Sequence, residues 1–247
     1  GQAPDAASEA LRKFIGNNPA YGFLAAMKRQ YEKANKDSSV IDRLWKQYSI
    51  LGSGSDFSAD GMTVREITDM FAEKNALSDE EKTLNAMKYG TAGYRAEFGA
   101  RLNYVHILVN AQAIAEVAKE RFAAAKAEGG LKNREKAKIF VGYDTRFMSK
   151  EFAETMSAVF AANGVEAVLS SVDTPTPAIS WLLGATRGEE YDLAVNITAS
   201  HNPFEYDGIK VNEPFGGQAG SDITSAIENK MGEISAGRIK IKYENPE

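Results

Sequence analysis

The sequence predicts an α/β protein: a three-layer α/β/α domain with a mostly parallel, mixed sheet over residues 88–247, preceded by an all-helical extension over residues 1–87. Three observations predict it. Apolar residues in the first 87 positions recur at helical spacing, with no strand-like alternation. From residue 88 onward, short apolar runs of strand length alternate with segments of helix length, the signature of a sheet covered on both faces. Glycine, proline and polar clusters punctuate the joints between them.

The helical part begins at Asn18-Pro19, where proline at a first helical position gives up no hydrogen bond it would otherwise make. Phe23, Leu24, Met27 and Tyr31 then share one face, and Val40, Ile41, Leu44, Trp45 and Tyr48 form a second stripe. Gly52-Ser53-Gly54-Ser55 reads as a flexible turn. Thr63 with Glu66, and Ser78 with Glu81, have the spacing of capping boxes, in which each side chain satisfies the other residue's free amide.

In the second part, a glycine-rich loop over 89–95 leads into a long helix near 104–128. That helix is apolar around most of its circumference at first and is therefore expected to be buried; Gly129-Gly130 stops it. Strands are expected at 138–143, 166–170 and 193–197, with a shorter extended piece at 209–212. Helices are expected at 149–163, at 177–185 and from Ser221. Ligands of such sheets bind at the carboxyl ends of the strands. The loops after Tyr143, Ser170 and Ile197 should therefore meet at one edge.

Composition narrows the chemistry. Of 247 residues, 43% are hydrophobic and 26% charged, as in globular proteins. The net charge of −5 argues against a general nucleic-acid or polybasic membrane partner. Cysteine is absent, which removes disulfides, thiolate catalysis and cysteine-based zinc sites. With only His106 and His201, a multi-histidine metal centre is not expected within this chain. No stretch has the length of a membrane-spanning helix and no signal-peptide pattern opens the chain, so a cytoplasmic location is expected.

The segment Thr198-Ala199-Ser200-His201-Asn202-Pro203 directly follows an apolar strand. A serine on a strand-end loop is exposed on a rigid base. The Thr198 hydroxyl, the His201 ring, the Asn202 amide and the backbone amides are donors that suit a phosphate dianion. No acidic residue stands within three positions of Ser200. Lys210 follows in an otherwise apolar extended piece. On residue types alone, a capped turn is the favoured reading of the segment. A Ser-His-Asp hydrolase is a poorer reading, since Ser200 and His201 are adjacent and no G-x-S-x-G elbow occurs. A dinucleotide site lacks its G-x-G-x-x-G.

Five ordered motifs carry a resemblance. Tyr89-Gly90-Thr91-Ala92-Gly93-Tyr94-Arg95, Val141-Gly142-Tyr143-Asp144-Thr145-Arg146, Thr174-Pro175-Thr176-Pro177, the Ser200 segment and Gly208-Ile209-Lys210-Val211 together resemble domain I of the α-D-phosphohexomutase superfamily, the phosphoglucomutases and phosphomannomutases. The similarity runs from about Lys88 to Met231.

The resemblance implies an enzyme that moves a phosphoryl group between hexose positions 1 and 6 through a phosphoserine and a hexose 1,6-bisphosphate. By matching positions, Ser200 carries the phosphate, Arg95 and Lys210 stabilise its transfer, and Lys210 assists proton transfer at the sugar hydroxyl. Thr198, His201, Asn202, Gly90 and Thr91 bind phosphate or substrate. Asp144 and Arg146 are expected to form a structural ion pair, and His106 to pack rather than catalyse. Magnesium is implied, held here only through the phosphate on Ser200, because the family's aspartate-rich metal loop is absent. Its sugar-recognition and C-terminal phosphate loops are absent too.

The chain thus reads as one domain of a longer mutase, poorly active by itself, with the remaining domains expected in the full-length chain. The helical extension is expected to pack on the mutase domain or to form a contact between copies. Asp207 stands where many members of the family place asparagine. A non-catalytic scaffold that retained the domain is the alternative, and a phosphatase or kinase-like transferase a third.

Overall fold

The computed structural model describes residues 19–53, 57–71, 83–84, 86–90, 93–130, 134–186 and 189–244. They form two compact units within residues 1–46 and 47–247. The first contains α1 (Pro19–Lys33) and the start of α2 (Ser39–Ser53). Asn35 turns the chain at φ 55°, and Asp37 then accepts the Ser39 amide at 2.9 Å, opening α2. Met27 and Tyr31 are buried on the expected stripe, whereas Phe23 stays half exposed. Lys28 and Asp42 pair at 2.6 Å. The helix continues through Gly52 and Ser53, where the sequence reads as a flexible turn.

In the second unit, α3 (Val64–Met70) starts on the expected capping box. Glu66 accepts the Thr63 amide at 2.7 Å, and Thr63 Oγ1 accepts the Glu66 amide at 3.3 Å. The second expected box, Ser78 with Glu81, lies outside the described residues. α4 (Tyr104–Ala127) begins on Asn103, whose Oδ1 accepts the Val105 and His106 amides. The helix is buried nearly all round through Ala115, as its composition predicts, because α3, α5 (Ser149–Ala162) and α7 (Ser221–Ser235) pack against it.

The sheet has the order β1-β5-β4-β2-β3, from β1 (Tyr94–Glu97), β2 (Lys138–Tyr143), β3 (Glu166–Leu169), β4 (Leu193–Ile197) and β5 (Tyr206–Asn212). β2 pairs parallel with β3 and β4, while β5 pairs antiparallel with β4 and β1. Four strands therefore point one way and β5 alone is reversed.

β1 departs from the sequence reading, which left Arg95 in a loop. Its four residues alternate buried and half-buried, too short a run to register as a strand until Tyr206–Ile209 supplies a partner. For the same reason β5 starts three residues earlier than its apolar part.

Side chains alternate between faces along a strand. Ile209 and Val211 of β5 share a face with Val195 and Ile197 of β4; Lys210 shares the other with Asn196. α6 (Thr176–Ala185) covers the Lys210 face, where Ile179 and Leu183 pack on Ala194, Phe140 and Val168. Gly142 permits this approach: a Cβ there would stand 2.6 Å from Ile179 Cδ1.

Candidate active site

The expected loops do meet at one edge. The amide of Asp144, after β2, donates to the carbonyl of Ile197 at the end of β4 (3.0 Å), and that of Thr174, after β3, to Tyr143 (2.7 Å). β4 is buried throughout, and the burial extends through Ala199. Ser200, the next residue, is exposed and takes φ 59°, a left-handed conformation that side-chain-bearing residues seldom adopt. Such strain persists only where neighbours enforce it.

Here the neighbours are Thr198 and Arg146. Thr198 Oγ1 accepts the Ser200 amide at 2.9 Å. Arg146 Nη2 donates to the carbonyls of Ser200 (2.7 Å) and Asn202 (2.6 Å), and its Nη1 to those of Pro203 (2.8 Å) and Tyr206 (3.0 Å). Its Nε faces Asp144 Oδ2 at 3.3 Å. A guanidinium has five N–H donors; the four on its Nη atoms are spent on the carbonyls of this loop, and Nε faces the Asp144 carboxylate.

The expected ion pair is thus present, but sequence reasoning missed the larger part of what Arg146 does. Backbone carbonyls carry no residue-type signal, so no sequence pattern points to the clamp. Ser149 was equally hidden: its hydroxyl lies 2.9 Å from Asp144 Oδ1 and 2.8 Å from Asp207 Oδ2.

Of the other expected site residues, His201 is exposed, with Nδ1 3.5 Å from Ser200 Oγ, and Asn202 is half-buried in the same loop. Arg95 and Lys210 lie on the sheet face opposite the one bearing Asp207, Arg95 directly across from Gly208. Gly208 has no Cβ to obstruct it; one there would stand 2.9 Å from Arg95 Cγ and 3.0 Å from the Thr198 carbonyl oxygen.

Lys210 is buried, and among the described residues it makes no ion pair; Arg95 Nε is buried without a hydrogen-bond partner there. Burial, and then the Arg95 guanidinium, push the Lys210 ammonium below its ordinary range, against the pull of Asp144. Two cations short of counter-charge on one face make a setting that favours an anion. Gly90 and Gly93 line a small cavity with Lys210, and Gly93 turns at φ 90° where a Cβ would stand 3.1 Å from Lys210 Cα. Thr91 lies outside the described residues.

His106 makes none of the site contacts above. Fully buried in α4, it faces Asn103 Oδ1 through Nδ1 (2.9 Å) and Thr83 Oγ1 through Nε2 (3.1 Å).

Residues 86–238 match the family described as phosphoglucomutase/phosphomannomutase, alpha/beta/alpha domain I. The chain belongs to this family. Among curated relatives of this phosphoglucomutase/phosphomannomutase domain, a phosphoglucomutase from Komagataeibacter xylinus is 39% identical over 158 residues, covering 62% of this chain and 26% of the relative. A phosphoglucosamine mutase from Lachnoclostridium phytofermentans is 39% identical over 100 residues, covering 40% of this chain and 21% of that one. The chain thus spans about a quarter of the length of the curated relatives it matches. The crystal structure of the Paramecium phosphoglucomutase pp63/parafusin, in its open form, covers 63% of this chain and 26% of its own at a TM-score of 0.50 and 23% identity, a likeness of fold.

Proposed function

We propose that this chain is the phosphoryl-carrying domain of a sugar-phosphate mutase, with Ser200 as the carrier, exchanging a phosphoryl group with a hexose phosphate by way of a hexose 1,6-bisphosphate. The observation that carries the reading is the enforced left-handed conformation of an exposed serine at the end of a buried strand, with two cations on the adjoining sheet face. Strained backbone of this kind clusters at active sites, where it holds a reacting group at a fixed point.

In the forward transfer, the bond between phosphorus and Ser200 Oγ breaks as a bond from phosphorus to a sugar oxygen forms. The sugar hydroxyl gives up its proton, and the serine oxygen regains one. Lys210, its ammonium lowered by burial, is assigned the proton at the sugar hydroxyl. Arg95 is assigned the charge that builds on the moving phosphoryl group. Thr198, His201, Asn202, Gly90 and Thr91 are assigned to the phosphate and substrate pocket.

Magnesium is proposed from the family resemblance, as a partner of the phosphate on Ser200. The described residues do not fit a cation site of their own. They contain no group of three or more histidine, aspartate or glutamate side chains disposed around a metal, and Asp144 is already engaged by Arg146 and Ser149. The ion's further ligands are expected from the remaining domains.

The test is the intact mass of the chain before and after incubation with glucose 1,6-bisphosphate and magnesium, beside Ser200→Ala. One phosphoryl group gained by the parent and never by the variant is expected. Equal gain by both overturns the assignment; gain by neither moves the same comparison to the full-length protein, where a parent that stays unphosphorylated overturns it.

A further inference from the structure

Ser149 Oγ sits between two carboxyl groups, 2.9 Å from Asp144 Oδ1 and 2.8 Å from Asp207 Oδ2. A hydroxyl has one proton and can donate to only one of them. The other separation is a hydrogen bond only when that carboxyl group donates to the serine oxygen, so one of the two aspartates carries a proton.

The surroundings decide which. Asp144 faces the Arg146 guanidinium, accepts the Arg146 amide at 2.9 Å, and has a side chain 25% exposed, so it has a cation and a backbone donor as partners. Asp207 is wholly buried, makes no ion pair among the described residues, and is met on Oδ1 by a single neutral donor, the Gly208 amide at 2.8 Å. Its antiparallel neighbour in β1 is Ala96. The charged groups bearing on it are Asp144 and Arg146, both from the loop after β2.

We infer that Asp207 is a neutral carboxylic acid in the folded protein and a positioning residue for the Ser200 loop. Its Oδ2–H donates to Ser149, Ser149 donates to Asp144, Asp144 holds Arg146, and Arg146 grips the carbonyls of Ser200, Asn202, Pro203 and Tyr206. Burial, and then the neighbouring Asp144 charge, hold the Asp207 carboxyl group well above the ordinary aspartate range, against Ser149, the Gly208 amide and Arg146. An asparagine would present the same pattern, its amide N–H to Ser149 and its oxygen to Gly208. A protonated aspartate is thus its functional equivalent at this position, until the proton is lost. The inference concerns what supports the loop and stands whether or not Ser200 carries phosphate.

Carbon-13 NMR of the chain labelled at the aspartate carboxyl carbons tests it. One aspartate resonance is expected at the position of a protonated acid at pH 7, abolished by Asp207→Asn and retained in Asp144→Asn. Absence of such a resonance, or its loss in Asp144→Asn alone, overturns the assignment. Unfolding measured against pH supplies a second readout. The folded carboxyl group keeps its proton above the pH at which the unfolded one loses it, so its contribution is complete in acid and is lost as pH rises towards the folded value. Relative to Asp207→Asn, the parent's folding equilibrium is expected to weaken about tenfold per pH unit through that window. A difference that does not change with pH overturns the proposal.

Discussion

Arg146 donates to the carbonyl oxygen of Ser200 at 2.7 Å across 54 residues of sequence, and that bond joins the loop after β2 to the loop after β4. Because Nη2 also holds Asn202 while Nη1 holds Pro203 and Tyr206, the guanidinium plane fixes both the start and the end of the Ser200 turn.

Lysine cannot reproduce this fork, having a point charge and no planar set of donors. Arg146→Lys is expected to slow phosphoryl loading of Ser200 by roughly 100-fold, the scale of a 1 Å displacement at a reacting centre. Arg146→Ala is expected in addition to destabilise the fold by about 3 kcal/mol, since it strands Asp144 and four carbonyls. Loading followed by intact mass, with urea unfolding in parallel, checks both.

The left-handed turn at Ser200 sets stability against presentation of the hydroxyl. Ser200→Ala and Ser200→Gly both remove the oxygen and are both expected to stay unphosphorylated. They should differ in stability, because alanine keeps the clash between Cβ and backbone at φ 59° and glycine does not. The glycine variant is expected to be about 1 kcal/mol more stable than the alanine variant in denaturant unfolding. Equal stabilities would mean that the turn relaxes once the hydroxyl is gone.

What was legible in the sequence was whatever depends on local pattern. β2 and β4 are apolar runs of strand length, and the Thr63–Glu66 capping box is a contact between residues three apart. β1 was hidden because Tyr94–Glu97 has too few residues to show a period and becomes a strand only by pairing with Tyr206–Ile209. At the site, the small polar residues around Ser200 could be read. The Arg146 clamp could not, because its acceptors are backbone carbonyls that every sequence possesses. Asp207 looked like a minor variation for a related reason: its meaning lies in Ser149, 58 positions away.

Gly208 sits where three backbones converge. A Cβ there would stand 2.3 Å from the Tyr94 carbonyl oxygen, besides crowding Arg95 and Thr198. Backbone cannot move aside as a side-chain tip can, so Gly208→Ala is expected to cost about 2–3 kcal/mol and to loosen the pairing of β1 with β5. Arg95, carried by β1, should shift with it and loading of Ser200 should slow. Gly217 is the control, with nothing within 4 Å of its Cβ direction. Gly217→Ala is expected to stay within about 0.5 kcal/mol of the parent. Hydrogen exchange at the Tyr94–Glu97 amides reads the loosening directly, and unchanged protection in Gly208→Ala would count against it.

His106, buried in α4, supplies a second pH dependence. Asn103 Oδ1 already accepts two backbone amides, so it acts as acceptor towards the ring as well, and Nδ1 carries the imidazole proton. Nε2 is left to accept from Thr83. Burial pushes the ring down to about 3 from its ordinary 6.5, so it stays neutral in the fold at neutral pH. The unfolded chain takes up a proton near 6.5 that the folded chain refuses, and stability must fall as the solution is acidified between those two values. His106 is expected to account for a loss of roughly 1.4 kcal/mol per pH unit across that window. His106→Gln, with no ring to protonate, should lose correspondingly less stability from pH 7 to pH 4. Chemical unfolding at half-unit intervals measures the difference in slope, and parallel curves for parent and variant would show that the buried ring does not govern the acid limb.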